Sequence, residues 1–290
     1  MTRIAYVNGR YLPKRQASVN VEDRGLQFGD GVYEVVTVQD GRFVDEGLHL
    51  DRLERSLREI RIPMPMGREA LRQVLKEVVR RNRVRSGLCY MQVTRGVDPR
   101  DHPFPKKPVP PGLVMTAKNM AGYPTDVDAW AAKAILYPDQ RWERRDIKST
   151  NLLPNVLAKQ AAREAGAIEA VLFDEATGLV TEGAATSFWI VDADGALRTR
   201  QLSQTILPGC TRAALMQELR DAGIPWREDP FSVEDARRAR EAFITSATSY
   251  VRPIVALDGV PVGDGKVGPV VRALFAIFAR HVKGDARNAA

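Results

Sequence analysis

The chain has 290 residues, 44% hydrophobic and 27% charged, with a formal net charge of +7. That composition supports one large domain or two ordinary ones around a sizeable core and excludes a disordered or fibrous chain. No apolar run reaches the ~18 residues a membrane-spanning helix needs, Met1–Gly9 reads as strand and turn rather than a secretory leader, and two widely spaced cysteines, Cys89 and Cys210, fit reduced thiols better than a disulfide or metal pair. The expectation is a cytoplasmic protein.

Ile4–Val7 and Tyr11–Leu12 flank Asn8-Gly9, and Val32–Val38 and Phe43–Val44 flank Asp40-Gly41, so the chain opens with hairpins. Two amphipathic helices follow. Leu50, Leu53, Leu57 and Ile60 form a stripe over 48–60, and Leu71, Val74, Leu75, Val78 and Val79 form another over 68–82. Strands are expected at Leu88–Thr94 and Leu113–Ala117, separated by a proline-rich loop, 98–112, of a length that is usually functional. Gly122 and Pro124 break the pattern, placing a boundary between a domain of residues 1–120 and another of 121–290. The second half predicts strands at 134–137, 170–173, 187–191 and 242–245, helices at 152–165, 211–222 and 268–282, a hairpin about Asp258-Gly259, and a frayed tail at 283–290. Strands and helices mix without a βαβ repeat, which predicts a two-domain α+β fold.

Several chemical signatures are weak or missing. Gly263-Asp-Gly-Lys-Val-Gly268 matches a dinucleotide fingerprint in letters, but sits too near the C-terminus for the βαβ unit it requires, and reads as a turn before the last helix. There is no phosphate-binding Walker loop and no G-x-S-x-G elbow, and His49, His102 and His281 are too scattered for a metal motif. The arginine groups 80, 81, 83, 85 and 141, 144, 145 are interrupted by other residues, and arginine outnumbers lysine throughout. A solvated surface explains them better than a nucleic-acid groove.

Three stretches carry more. In Ile147-Lys148-Ser149-Thr150-Asn151-Leu152-Leu153-Pro154-Asn155, Lys148 precedes a helix expected to be capped by Ser149, Thr150 or Asn151. The positive end of that helix would favour the neutral, nucleophilic amine. Glu182, in Leu179-Val-Thr-Glu-Gly183, ends a strand signal and suits either a strand edge or a protonated ring nitrogen. Ile206-Leu-Pro-Gly-Cys-Thr-Arg212 opens a helix whose free N–H groups suit an anion, and the turn Thr245-Ser246-Ala247-Thr248-Ser249 could add donors.

Together these stretches, in this order, resemble the class IV aminotransferases, from about Tyr6 to Ile277. The resemblance implies an enzyme of fold type IV, with a smaller N-terminal α/β domain and a larger, β-barrel-like C-terminal domain with helices. It implies pyridoxal 5'-phosphate as cofactor, Lys148 as Schiff-base lysine and proton shuttle, and Glu182 as partner of the pyridine nitrogen. Arg52, Cys210 and Thr211, with Ser246 and Ala247, would hold the phosphate. The D-amino-acid branch is the most similar. Tyr33 matches its substrate-facing tyrosine, and Arg100-Asp-His102 matches its carboxylate-binding pair, two residues apart on one side of an extended segment. Ala184-Ala185-Thr186 departs from the serine run of that branch. Within the family, an aminodeoxychorismate lyase, a branched-chain transaminase or an (R)-amine transaminase are the alternatives; outside it, a basic nucleic-acid-binding protein on an inactive scaffold. The implied partners are a small amino acid, a 2-oxo acid and a second copy of the chain in a homodimer.

Overall fold

The structure, a computed structural model, describes residues 3–284. It forms two compact units: Met1–Gly122 with Ile147–Asn151, and Tyr123–Asp146 with Leu152–Ala290. The short segment around Lys148 therefore belongs to the first unit, although the sequence places it in the second.

In the first unit, β1 (Ile4–Val7), β2 (Arg10–Pro13), a short helix α1 (Arg24–Phe28), β3 (Gly31–Gln39) and β4 (Arg42–Phe43) come first. The helices α2 (Glu46–Glu59) and α3 (Arg68–Arg81) and the strands β5 (Gly87–Thr94) and β6 (Gly112–Asn119) complete it. The strands make one antiparallel sheet in the order β2-β1-β6-β5-β3-β4. One face carries α2 and α3, whose Leu50, Leu53, Leu57, Leu71, Leu75 and Val78 pack on Val32, Val36, Met91 and Met115. The periodic stripes read from the sequence supply this core, because apolar residues at helical spacing have to be buried together.

In the second unit, α4 (Val127–Trp130), β7 (Ala132–Pro138), α5 (Leu153–Glu164), β8 (Glu169–Phe173), β9 (Val180–Gly183), β10 (Ser187–Val191) and β11 (Leu197–Thr199) lead to α6 (Cys210–Asp221). Then follow β12 (Trp226–Glu228), α7 (Val233–Arg237), β13 (Glu241–Ser246), β14 (Tyr250–Leu257), β15 (Val260–Pro261) and α8 (Pro269–Lys283). The nine strands form a mixed sheet, order β12-β11-β10-β13-β14-β7-β8-β9 with β15 on β14, curled as a half-barrel. Parallel pairs are β7–β8, β7–β14 and β11–β12. Gly263 and Gly265 take positive φ in the turn before α8, as expected of a turn rather than a cofactor loop. Lys283, assigned to a frayed tail, is the last residue of α8; residues 285–290 lie outside the described ones.

Candidate active site

Lys148 sits in an extended segment rather than at a helix start. Helix α5 begins five residues later and its N-cap is Leu152, which makes no side-chain cap. The cap expected at Ser149, Thr150 or Asn151 is absent because those residues are committed to the first unit's sheet. Tyr33 N–H donates to the Lys148 carbonyl at 3.0 Å, Ser149 bridges Val32, and Thr150 N–H donates to the Gly31 carbonyl at 3.0 Å. The segment thus covers an edge of β3 that would otherwise expose unpaired backbone groups. Its first residue, Ile147, is anchored in the α2–α3 core. The Lys148 amine lies 3.2 Å from the Tyr33 hydroxyl and 4.3 Å from the centre of that ring. A partner tyrosine, not a helix end, is what the lysine meets.

On the opposite side of β3 from Tyr33, Glu34 points into the core and is fully buried. Burying a lone carboxylate would cost several kcal/mol. Arg52 offsets this by a two-bond fork, Nε to Oε1 at 2.7 Å and Nη2 to Oε2 at 2.8 Å, and His49 Nδ1 lies 2.7 Å from Oε2. Burial pushes the Glu34 carboxyl up, but the Arg52 charge and the Arg52 and His49 hydrogen bonds outweigh it and hold it at about 2. Arg52 is one turn before Ser56, whose hydroxyl accepts the Lys148 N–H at 3.4 Å. The proposed phosphate arginine and the lysine therefore share one face of α2.

Arg100 and His102 are exposed, and no hydrogen bond joins either to Lys148 or Tyr33. Both stack on Phe28 of α1, the Arg100 guanidinium at 4.6 Å and the His102 ring at 5.4 Å from its centre. Gly29, the next residue, accepts the Thr150 hydroxyl at 2.9 Å. Helix α1 thus links the proline-rich loop to the segment that carries Lys148.

In the second unit, Glu182 ends β9 and is buried. Its Oε1 takes the Arg141 guanidinium at 2.6 Å and the Leu207 N–H at 3.0 Å, while Oε2 accepts no hydrogen bond from any described residue. Burial raises the carboxyl above its ordinary range, against the Arg141 charge. The Leu207 bond draws the 206–210 turn against Glu182. From there α6 starts at Cys210 with Gly209 as N-cap and no side-chain cap, and the Cys210 and Thr211 N–H groups have no acceptor among the described residues. Helix α8 makes the contrast. It also starts behind a glycine, but the Glu241 carboxylate takes its Val270 and Val271 N–H groups at 3.0 and 2.8 Å. A Cβ on Gly209 would lie 2.8 Å from the Ser187 hydroxyl, and Ser187 pairs with Thr245, so the start of α6 adjoins the Ser246–Ala247 turn.

A model of the class IV aminotransferase family matches residues 31–257. The chain belongs to that family. It is 38% identical to a D-alanine aminotransferase of Staphylococcus haemolyticus over 98% of this chain and 99% of the relative. It is 40% identical to the D-alanine aminotransferase of Listeria innocua over 95% of each. Among solved structures, a T.th. branched-chain amino acid aminotransferase with pyridoxamine 5'-phosphate superposes with a TM-score of 0.88 at 26% identity, covering 99% of this chain and 96% of that one.

Class IV membership turns attention to residues the sequence reading passed over. Arg141 was expected on a solvated arginine surface; instead its side chain is largely covered, forked onto Asp139 and bonded to Glu182. Its signal in the sequence is its place between a strand and Lys148, two residues after an aspartate. Ala184, the first residue of the stretch that departs from the serine run, lies in an apolar cluster with Ala158, Ala162 and Ala170. A hydroxyl there would need a partner that this cluster does not offer. Helix α1, with Arg24 and Phe28, gives no sequence signal beyond its Asp23 cap.

Proposed function

We propose that this chain moves the amino group of a D-amino acid of the D-alanine kind to a 2-oxo acid, with pyridoxal 5'-phosphate as cofactor. The observation that carries the reading is the Lys148 amine, fixed on the edge of β3 with the Tyr33 hydroxyl 3.2 Å away. The donor sets fit the cofactor. Glu182, a buried residue, offers a carboxylate oxygen with no donor among the described residues, suited to a protonated ring nitrogen, and Arg141 keeps its charge balanced. The uncapped start of α6 offers the Cys210 and Thr211 N–H groups and the Thr211 hydroxyl to a phosphate. Arg52, held in place by Glu34, would add its charge, and the Ser246–Ala247 turn further donors.

When bound, the cofactor supplies an aldehyde carbon and an electron-withdrawing ring that acidifies the substrate Cα–H. Lys148 Nζ would hold the cofactor through its aldehyde carbon and, as a free amine, would carry the substrate Cα proton. Tyr33 orients Nζ for that transfer, and Glu182 keeps the ring nitrogen protonated. Arg100 and His102 receive the substrate carboxylate by charge-assisted bonds. The first half of the cycle releases a 2-oxo acid before a second 2-oxo acid enters, and the second half releases the amino acid made from it.

Lys148→Ala is expected to remove D-alanine transamination and the near-visible absorbance of the bound cofactor together; a variant that keeps both overturns the reading. Offering D-alanine, L-leucine, (R)-phenylethylamine and aminodeoxychorismate separately decides the branch, and D-alanine alone should discharge the absorbance. The same reading includes a cytoplasmic homodimer with small-molecule rather than nucleic-acid partners. Its support is that arginines of both basic groups are engaged by carboxylates of the chain itself: Arg80 and Arg81 share Glu77, and Arg141 and Arg145 share Asp139. Among the described residues no helix is long and apolar enough to cross a membrane.

A further inference from the structure

We propose that Arg24, with Phe28 as its platform, is the positioning residue that presents Arg100 and His102 to the substrate carboxylate. The inference rests on the reading of Arg100 and His102 as a carboxylate clamp, and it explains how two exposed side chains on a proline-rich loop are held ready.

Arg24 is 3% exposed, and a buried guanidinium is tolerated only when its donors are satisfied. Its Nε donates to Asp30 Oδ2 at 2.9 Å, Nη1 to the Asp101 carbonyl at 2.6 Å and Nη2 to the His102 carbonyl at 3.1 Å. Asp30 is itself fixed by Arg95, through Nε at 2.6 Å and Nη2 at 2.9 Å. Arg95 in turn donates to the Ile60 and Arg61 carbonyls at 2.8 and 3.0 Å. Arg24 therefore reaches the loop from an anchored base.

The position of those bonds is the informative part. They fall on the carbonyls of the two peptide groups that flank His102, the first of them one residue beyond Arg100, and so hold the loop backbone at the clamp. The loop bends at Arg100 and again at His102 and belongs to no strand, so no sheet ladder holds it there and the Arg24 bonds act in place of one. Phe28 completes the arrangement. It is one turn after Arg24 in α1, its ring centre 4.8 Å from the Arg24 guanidinium, and the same ring carries Arg100 and His102. The loop has a separate attachment further on, where Phe104 stacks on Arg61 and Arg95. The Arg24 bonds act on the clamp residues themselves. Holding them in place beforehand removes ordering entropy that substrate binding would otherwise have to overcome.

The test is a double-mutant cycle with D-alanine as substrate. Arg100→Ala should raise KM about tenfold or more. Arg24→Gln should raise it by a similar factor with kcat changed less than about threefold, and should add less than about twofold in the Arg100→Ala background. Phe28→Leu should raise KM severalfold and Phe28→Tyr restore it, which keeps the test open should Arg24→Gln fold poorly. If Arg100→Ala leaves KM unchanged, the clamp reading itself fails. If Arg100→Ala raises KM while Arg24→Gln does not, or the two effects multiply in full, Arg24 does not act through the clamp. A Phe28→Leu enzyme with the parent KM overturns the platform role.

Discussion

Glu34 shows how one residue can tie stability to pH. Its carboxyl, ordinarily near 4.5, sits at about 2 because Arg52 and His49 outweigh the cost of burial. A group whose folded value is lowered contributes stability that is present above the unfolded value and lost as pH falls through the folded one. The window is therefore about pH 4.5 down to 2, and the contribution on the order of 3 kcal/mol. Urea unfolding across that range should show stability falling with pH in the parent chain. Glu34→Gln should flatten that component, and at pH 7 should cost a further few kcal/mol by leaving the Arg52 charge buried without its partner. A parent-like pH slope in Glu34→Gln would show that another group carries it. Glu34 follows Tyr33 on β3, so the alternation of the strand assigns one residue to the lysine and the next to the arginine. The sequence reading found Tyr33 and Arg52 but not Glu34, because an acidic residue inside an apolar strand signals nothing until its partner, eighteen positions away, is known. Arg141 was hidden for the same reason: its bond to Glu182 spans 41 positions.

At the level of elements, long periodic segments were legible and short ones were not. Helices α2 and α3 fall within two residues of their expected bounds, since each buries a regular stripe; the short β10 coincides with its expectation because all five of its residues are buried in a continuous run. Helix α1 has five residues, too few for a periodic signal, yet it anchors the loop bearing Arg100. The base of that loop gives a direct test. Gly96 has φ +104°, and a Cβ there would lie 2.2 Å from the Pro110 carbonyl oxygen, which is backbone and cannot turn aside. Gly96 also accepts the Arg24 N–H at 2.9 Å. Gly96→Ala is expected to cost about 1–3 kcal/mol of stability from backbone strain, and to raise the KM for D-alanine more than it lowers kcat. Thermal unfolding together with steady-state kinetics measures both. A parent-like melting temperature would exclude the strain.

For the whole molecule, the order of segments along the chain matters more than the number of domains. The two units divide after Gly122, beside the Gly122 and Pro124 that break the sequence pattern, while no sequence feature signals the return of Ile147–Asn151 to the first unit. Nothing local marks five residues as pairing with β3, which lies over a hundred positions earlier. A fragment of residues 1–122 is therefore expected to be incomplete. It lacks the acceptor for the Tyr33 N–H, the donor to the Gly31 carbonyl and the Ile147 side chain in the core. Hydrogen exchange should find the Tyr33 amide protected in the full chain and open in the fragment; protection in both would show that the segment contributes nothing to the first unit.

The same segment sets a clock on synthesis. Domains tend to fold from the N-terminus as the chain is made, at about 5–20 residues per second. Here the strands and helices of the first unit are all present once Asn119 has been added, but the residues that close the edge of β3 follow roughly thirty positions later, a delay of about 2–6 s. During that interval β3 offers a bare backbone edge to any neighbouring nascent chain. The stretch that ends the exposure carries Lys148, so completing the first unit and delivering Lys148 to Tyr33 are one event in biosynthesis.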